Sequence, residues 1–370
     1  MATRVGTAEA LARRVDLLRE RIDADGLDAF IATSKPAYTY LTGFGGEGYE
    51  RLIAAIVTRT DATLLVPALE EDAAGEQSAG VQVRTWRDGE DAIAALCELA
   101  RAAGSSPRLG VEEKSLTLEQ ADRLRADPAD PTLAHAGSIL DELRLRKDDA
   151  EVDGVRRAGA LLSSAFVRAF DGADVGMSEV ALQARLELDI SERGGGETIS
   201  LVQIGERAAL PHGSTGERAL ARGDVLLIDA ATTVGGYWGD ITRCATVGPA
   251  SDAVRHAWDA VRAGYDAAVA AVGPGVRSRD VDEAARAVIT EAGYGEAFIH
   301  RTGHGLGLEV HEPPYLSGTS EEVLEPGMIV TVEPGVYFTG RFGLRLENDV
   351  LVTDTGADVL TDAPEELREL

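Results

Sequence analysis

Two stretches in the second half of the chain constrain its fold more than anything else in it. VLLIDAATTVGGYWGDITRCATV, residues 225–247, reads as an apolar strand, a glycine turn and a second apolar strand. MIVTVEPGVYF, residues 328–338, and GLRLENDVLVT, residues 343–353, repeat that pattern. A two-residue turn at Val234-Gly235 sets Asp229 opposite Asp240, and a turn about Gly340 sets Glu333 opposite Glu347. Like charges opposed on paired strands are unfavourable. Each acid also stands in an apolar run, Leu-Leu-Ile-Asp or Ile-Val-Thr-Val-Glu, where a lone charge is costly to bury. One such pair alone reads better as the solvated end of a hairpin, whereas two together point to a bound cation.

The 370 residues suffice for two or three compact units. Residues 1–146 read as a small α/β domain. Leu11, Val15, Leu18 and Ile22 share one face of a first helix, and apolar strands over 27–32, 52–58, 63–66, 81–86 and 108–112 alternate with helical stretches over 91–102 and 116–124. A helical segment over 139–146 leads into a second domain, 147–370. There Asp148 and Glu151 form a capping box ahead of the stripe Val152, Val155, Leu162 and Phe166. Helices over 148–171 and 178–193, strands over 197–203, 224–230 and 237–247, helices over 251–271 and 279–292 and then several strands make this domain α+β.

Charge narrows the partners. With 63 Asp and Glu against 36 Lys and Arg, the net charge is -27 and no basic block is present, which argues against nucleic acid and anionic membrane surfaces. No apolar run approaches the ~20 residues of a membrane helix, and the first residues carry helical spacing rather than the continuous stretch of a signal peptide. Cys97 and Cys244 lie far apart without metal-type spacing, so a reducing cytoplasm is the simplest setting. Only Lys35, Lys114 and Lys147 are lysines. An acidic, Arg-rich, Lys-poor chain fits salt adaptation, under which molar salt improves folding or activity, and it fits a high-GC source as well.

His212, His300, His304 and His311 fall in the half that carries the acids. His304 lies in Thr-Gly-His-Gly-Leu-Gly, where small neighbours let backbone approach a ligand. His300 and His304 have the i, i+4 spacing of a helical zinc pair, but Gly303, Gly305 and Gly307 argue against a helix and no Glu follows His300. The glycine run is a weak match to a phosphate cradle. His135, in a loop, and His256, on a helix, read as surface or satisfied positions.

Asp229, Asp240, His304, Glu333 and Glu347, set among Gly-His-Gly-Leu-Gly-Leu-Glu-Val-His-Glu and Glu-Pro-Gly, resemble the ligands of the proline-specific metallopeptidases with the creatinase, or pita-bread, fold. Among its members, prolidase and aminopeptidase P carry an N-terminal unit of about this length that short methionine aminopeptidases lack. The resemblance implies a pita-bread α+β catalytic domain preceded by a smaller creatinase-like α/β domain. It implies two divalent ions, Asp229 and Asp240 on one and His304 on the other, with Asp240 and Glu347 bridging and Glu333 completing the second. Four oxygen donors and one imidazole suit Mn²⁺, with Co²⁺ or Zn²⁺ as alternatives.

By the same likeness, a water shared and acidified by ions ~3.5–4 Å apart attacks the carbonyl before proline, and Glu333 carries the proton. His311 hydrogen-bonds the oxyanion or the substrate backbone, His212 and His300 contact substrate on the proline side, Arg345 orients the carboxylates, and Tyr337 supports the site. Plainer readings stand beside these: a salt-bridge partner for Arg345, packing for Tyr337, loop-satisfied positions for His212 and His300. The expected substrates are small peptides with proline second, whose tertiary amide lacks the N–H that ordinary peptidases grip. A homodimer in which one subunit's N-terminal unit partly covers the other's site is implied too.

Length favours Xaa-Pro dipeptidase over aminopeptidase P. Against it, Glu312-Pro313-Pro314-Tyr315-Leu316-Ser317 lacks the basic residue with which several small prolidases could anchor a free carboxylate, leaving Arg301, Arg341 or a loop of the N-terminal unit to supply one. A metal-independent C–N hydrolase of the creatinase or ectoine-hydrolase kind, and a non-catalytic binding module, are rivals on the same fold. Both lose ligands, and this sequence keeps all five.

Overall fold

Leu11, Val15, Leu18 and Ile22 are buried along one helix, α1 (Ala8–Ala24), the first element of a computed structural model that describes residues 5–211 and 213–370. The chain divides into two compact units, Met1–Arg144 and Leu145–Leu370. The first continues with β1 (Ala29–Ala32), α2 (Lys35–Thr42), β2 (Ala54–Thr58), β3 (Ala62–Pro67), α3 (Glu71–Gln77), β4 (Gln82–Trp86), α4 (Ala92–Arg101), β5 (Arg108–Val111), α5 (Leu118–Arg125), β6 (Thr132–His135) and α6 (Gly137–Leu145). Its six strands form one sheet in the order β4-β3-β2-β1-β5-β6. Ile31, Ile56, Leu65, Leu96, Leu109 and Leu124 pack α4 and α5 against it.

Helices α2 and α3 and strand β6 of this unit escaped the sequence reading. His135 ends strand β6, paired with Val111, rather than lying in a loop. That strand is at the sheet edge and half exposed, so it lacks the apolar run that marks a central strand. Helix α2 is short, but it carries ordinary start and stop signals: the Ser34 hydroxyl accepts from the Ala37 N–H, and Gly43 ends the helix at φ 82°.

The second unit comprises α7 (Asp149–Asp171), α8 (Glu179–Glu192), β7 (Thr198–Ile204), β8 (Val225–Val234), β9 (Tyr237–Thr246), α9 (Asp252–Ala271), α10 (Ser278–Glu291), β10 (Gly303–Gly305), β11 (Glu312–Leu316), β12 (Ile329–Val332), β13 (Gly335–Phe338), β14 (Phe342–Arg345), β15 (Asn348–Val352), β16 (Ala357–Val359) and β17 (Arg368–Glu369). Helix α7 starts where its capping box requires. Asp148 Oδ1 accepts from the Ala150 and Glu151 N–H groups while Glu151 Oε2 accepts from the Asp148 N–H. The strands form sheets β17-β9-β8-β7 and β11-β10-β12-β15-β16 and a separate ladder β13-β14. Leu162, Phe166, Leu182 and Leu186 of α7 and α8 pack on the first sheet through Val202, Ile228 and Ile241. Val254, Trp258, Val281 and Ile289 of α9 and α10 share a second core with Val330, Val332 and Val350. No helix among the described residues is long and apolar enough to cross a membrane.

The first hairpin corrects the expected register. Val234 pairs with Tyr237, so the turn is Gly235-Gly236, at φ 63° and 88°. A two-residue turn with both residues at positive φ matches the strand twist, and only the glycine pair takes it without strain. Asp240 therefore faces Ala231, and Asp229 faces Thr242. Because side chains alternate with period two, this shift of two leaves both acids on one face. In the second hairpin the expected register holds on either side of the acids, with Val332 opposite Asn348 and Gly335 opposite Arg345. Between them the ladder lapses. Pro334 has no N–H to give, and the Glu333 N–H turns to the Thr302 carbonyl (2.8 Å) and the Glu347 N–H to that of Thr242 (3.2 Å).

Candidate metal centre

A cavity of about 750 Å³ opens in the second unit, and Asp229, Asp240, His304, Glu333 and Glu347 all line it. Ligand atoms of Asp240, His304 and Glu347 lie within 4.8 Å of one another. His304 Nε2 is 3.3 Å from Glu333 Oε1 and 4.0 Å from Asp240 Oδ2. The glycines beside His304 explain its approach: a Cβ at Gly303 would lie 1.9 Å from the Thr331 carbonyl oxygen, and one at Gly305 2.3 Å from that of Pro313. His304 Nδ1 donates to the Gly305 carbonyl (3.0 Å), which leaves the Nε2 lone pair facing the acids.

Electrostatics and hydrogen bonding agree that a cation belongs here. Burial, then the neighbouring Asp229, Asp349 and Glu333, push the Asp240 carboxyl well above the usual range. Burial and the charges of Asp240, Glu333 and Asp229 do the same to Glu347. Burial, with Asp229 beside it, raises Glu333 to about 7. Burial, then His311, lowers His304 to about 3, so the imidazole is neutral. Asp240 Oδ1 is buried without a hydrogen-bond partner among the described residues, a costly state for a carboxylate oxygen that a metal ion relieves. Oxygen donors with one neutral imidazole are a hard set, and they fit divalent ions such as Mn²⁺.

Around the cluster, Arg345 spans both hairpins. Its guanidinium pairs with the Asp229 carboxylate, donates through Nε to Thr242 Oγ1 (3.0 Å) and through Nη1 to the Tyr337 hydroxyl (2.6 Å). The Thr242 hydroxyl donates in turn to Glu347 Oε2 at 2.6 Å. The Tyr337 hydroxyl, kept protonated by burial, donates to His300 Nε2 (2.9 Å), while His300 Nδ1 donates to the Arg301 carbonyl (2.6 Å). Behind Asp240, the fully buried Asp349 accepts the Asp240 N–H (3.1 Å to Oδ2). Arg243 donates to the Glu347 carbonyl at 2.6 Å.

The structure thus brings the five acid and imidazole positions together with His300, His311 and Arg345 on one cavity wall. His311 is exposed and sets its ring edge-to-face against His304, centroids 4.2 Å apart. Tyr337 lies behind the wall, buried. His212 lies outside the described residues. Arg301 lines the cavity with its guanidinium over the Tyr315 ring, whereas Arg341 stacks on Phe338 and Phe342 and is not a lining residue. Thr242, Arg243 and Asp349 were not singled out from the sequence. Thr242 alone had a local signal, being two residues from Asp240 on the same strand face.

A mixed sheet-and-helix unit carrying this acid and imidazole cluster is matched over residues 153–354 by Metallopeptidase family M24, and residues 14–146 match the Creatinase/Prolidase N-terminal domain. The chain belongs to metallopeptidase family M24, which implies divalent metal ions at this cluster. Among its relatives, the probable dipeptidase PepE of Mycobacterium tuberculosis is 35% identical over 373 residues, 99% of this chain and 98% of that protein. The solved Xaa-Pro dipeptidase from Bacillus anthracis superposes with a TM-score of 0.89 at 31% identity, covering 97% of this chain and 100% of that one. A recombinant prolidase from Thermococcus sibiricus gives 0.91 at 31% identity over 99% of this chain and 100% of its own.

Proposed function

We propose that the protein is an Xaa-Pro dipeptidase, hydrolysing the bond before proline in small peptides with two divalent ions, Mn²⁺ foremost. The observation that carries this reading is the orphaned Asp240 oxygen beside His304 and Glu347 in the cavity wall. End-to-end likeness to proteins named as dipeptidases and prolidase supports it.

Asp229, Asp240, His304, Glu333 and Glu347 would hold the ions. Bound there, such ions polarise the scissile carbonyl and lower the pKa of a water. Glu333, within hydrogen-bond reach of the Thr331 hydroxyl (3.2 Å), is placed to take a proton and return it toward the proline nitrogen. His311, exposed at the cavity wall, offers an N–H to the reacting carbonyl oxygen. Arg345 and Thr242 hold Asp229 and Glu347 at fixed angles. His300, at the cavity wall, bonds the Arg301 carbonyl through one ring nitrogen and the Tyr337 hydroxyl through the other, which orients its ring toward substrate on the proline side. Arg301 at the cavity wall is placed to receive the free carboxylate of a dipeptide.

A homodimer and a cytoplasmic setting belong to the same reading, and free, buried Cys97 and Cys244 suit a reducing compartment. Comparing Xaa-Pro with Xaa-Pro-Yaa hydrolysis in Mn²⁺ tests the assignment. Faster cleavage of the dipeptide is expected. Cleavage of the tripeptide alone makes the protein an aminopeptidase P, and chelator-insensitive activity removes the metallopeptidase chemistry altogether.

A further inference from the structure

We propose that Lys147 is a positioning residue for the reaction, acting through Glu312 on the loop that presents Val310 and His311 to the cavity. The chain's other two lysines make surface pairs, with side-chain exposures of 30% for Lys35 and 83% for Lys114. Lys147 is different: its side chain is 2% exposed, that of Glu312 is 4% exposed, and Nζ lies 2.7 Å from Oε1. Nζ also donates to the Leu145 carbonyl (3.3 Å), and the Lys147 N–H donates to the Gly327 carbonyl (2.8 Å), so the residue is tied at both ends.

Glu312 closes the base of the loop. The β10–β11 pairing jumps over Pro313-Pro314, from His304 opposite Tyr315 to Gly305 opposite Glu312, and residues 306–311 are the loop that this last pair closes. Inside it the Gly307 N–H donates to the Glu309 carbonyl (3.0 Å), and the Glu309 N–H reaches Glu312 Oε2 (3.4 Å). The Gly307 carbonyl accepts from the Trp238 N–H at 2.8 Å, two residues before Asp240 on β9. The loop backbone lies directly on the ion pair: a Cβ at Gly307 would meet Glu312 Oε1 at 2.7 Å and Lys147 Cε at 2.9 Å. A flat guanidinium is bulkier than an ammonium, so this space suits lysine in a chain that elsewhere prefers arginine. Buried ion pairs contribute little net stability once desolvation is counted. What this one supplies is a fixed register for a loop whose last residue, His311, packs on His304.

The catalytic consequence rests on the Xaa-Pro reading, but the structural one does not. The test uses the full-length, metal-loaded protein and the K147M/E312L variant, which replaces the pair by apolar groups of similar size. Expected are a kcat on an Xaa-Pro dipeptide lowered about 10–100-fold, unchanged metal content, and faster hydrogen exchange in residues 306–312 with none in β8 and β9. Unchanged kcat or unchanged loop exchange overturns the proposal. Should that variant fail to fold, E312Q carries the same two readouts under the same criteria. Wild-type protein without Xaa-Pro activity would sink the functional reading, and the exchange measurement would still decide this one.

Discussion

The two acid-bearing hairpins place their carboxylates in different ways. From Val225 opposite Thr246 to Val234 opposite Tyr237, the first runs as one ladder, and its acids stand where the Gly235-Gly236 turn puts them. The second breaks at its acids, whose backbone N–H groups bond Thr302 and Thr242 instead of each other. Asp229 and Asp240 are therefore set by local backbone geometry. Glu333 and Glu347 are set by what lies around them, including the first hairpin itself. A regular element can carry a ligand at no cost to its ladder, whereas a ligand at an interruption needs other parts of the fold to take up the freed groups.

The sharpest way to break this contrast is Asp240→Asn. It removes a charge from the cluster, and turnover on Xaa-Pro should fall by at least about 10²–10³-fold, with metal content reduced in elemental analysis. Near-normal turnover at full metal content would mean that the acids are wrongly assigned. Thr242→Val tests whether the hairpins act as one device, because this hydroxyl joins Arg345 to Glu347. A loss of about 10–100-fold in metal affinity is expected, and wild-type affinity in a metal titration would make the hairpins independent.

The stability of the metal-free protein should carry two opposed pH contributions from the site. Glu333 is raised from 4.5 to about 7. Its protonated form is thus favoured by folding, and this contribution, full below 4.5, is lost as pH rises from there through about 7. His304, lowered from 6.5 to about 3, contributes stability that is lost as pH falls through that range. Without metal, melting temperature should therefore fall as pH rises from about 4.5 through 7, because Asp240 and Glu347, also raised by burial, add to Glu333 and outweigh His304; Mn²⁺ should remove that fall, and identical curves would refute the cluster. The smallest effect is expected of Gly236→Ala, at φ 88°. It should cost about 1–2 kcal/mol in denaturant melts while leaving metal affinity unchanged, and a shift in metal affinity would show that the turn does more than set register.

Much of this was legible in the residues. The Asp148–Glu151 box, the α1 stripe and the glycine-flanked His304 are local patterns, and local physics decides them. The first register was misread because Val234-Gly235 and Gly235-Gly236 both look like two-residue turns. Only the demand for positive φ at both positions separates them, and the acids stayed on one face because the error was even. Asp349 and Arg243 were silent for a different reason. Their roles depend on contacts with Asp240 and with the Glu347 carbonyl made across strands, and no periodicity along either strand encodes those. His300 was visible as a candidate, but its bonds to Tyr337 and the Arg301 carbonyl exist only in three dimensions.

Trp238 stands two residues from Asp240 on the same face of β9, 6% exposed, with its backbone N–H on the loop that ends in His311. The other two indoles, Trp86 and Trp258, belong to the first unit and to α9. The molecule therefore carries a native fluorophore on the strand that would grip the ions, and titrating them in can be followed by its emission without attaching any dye.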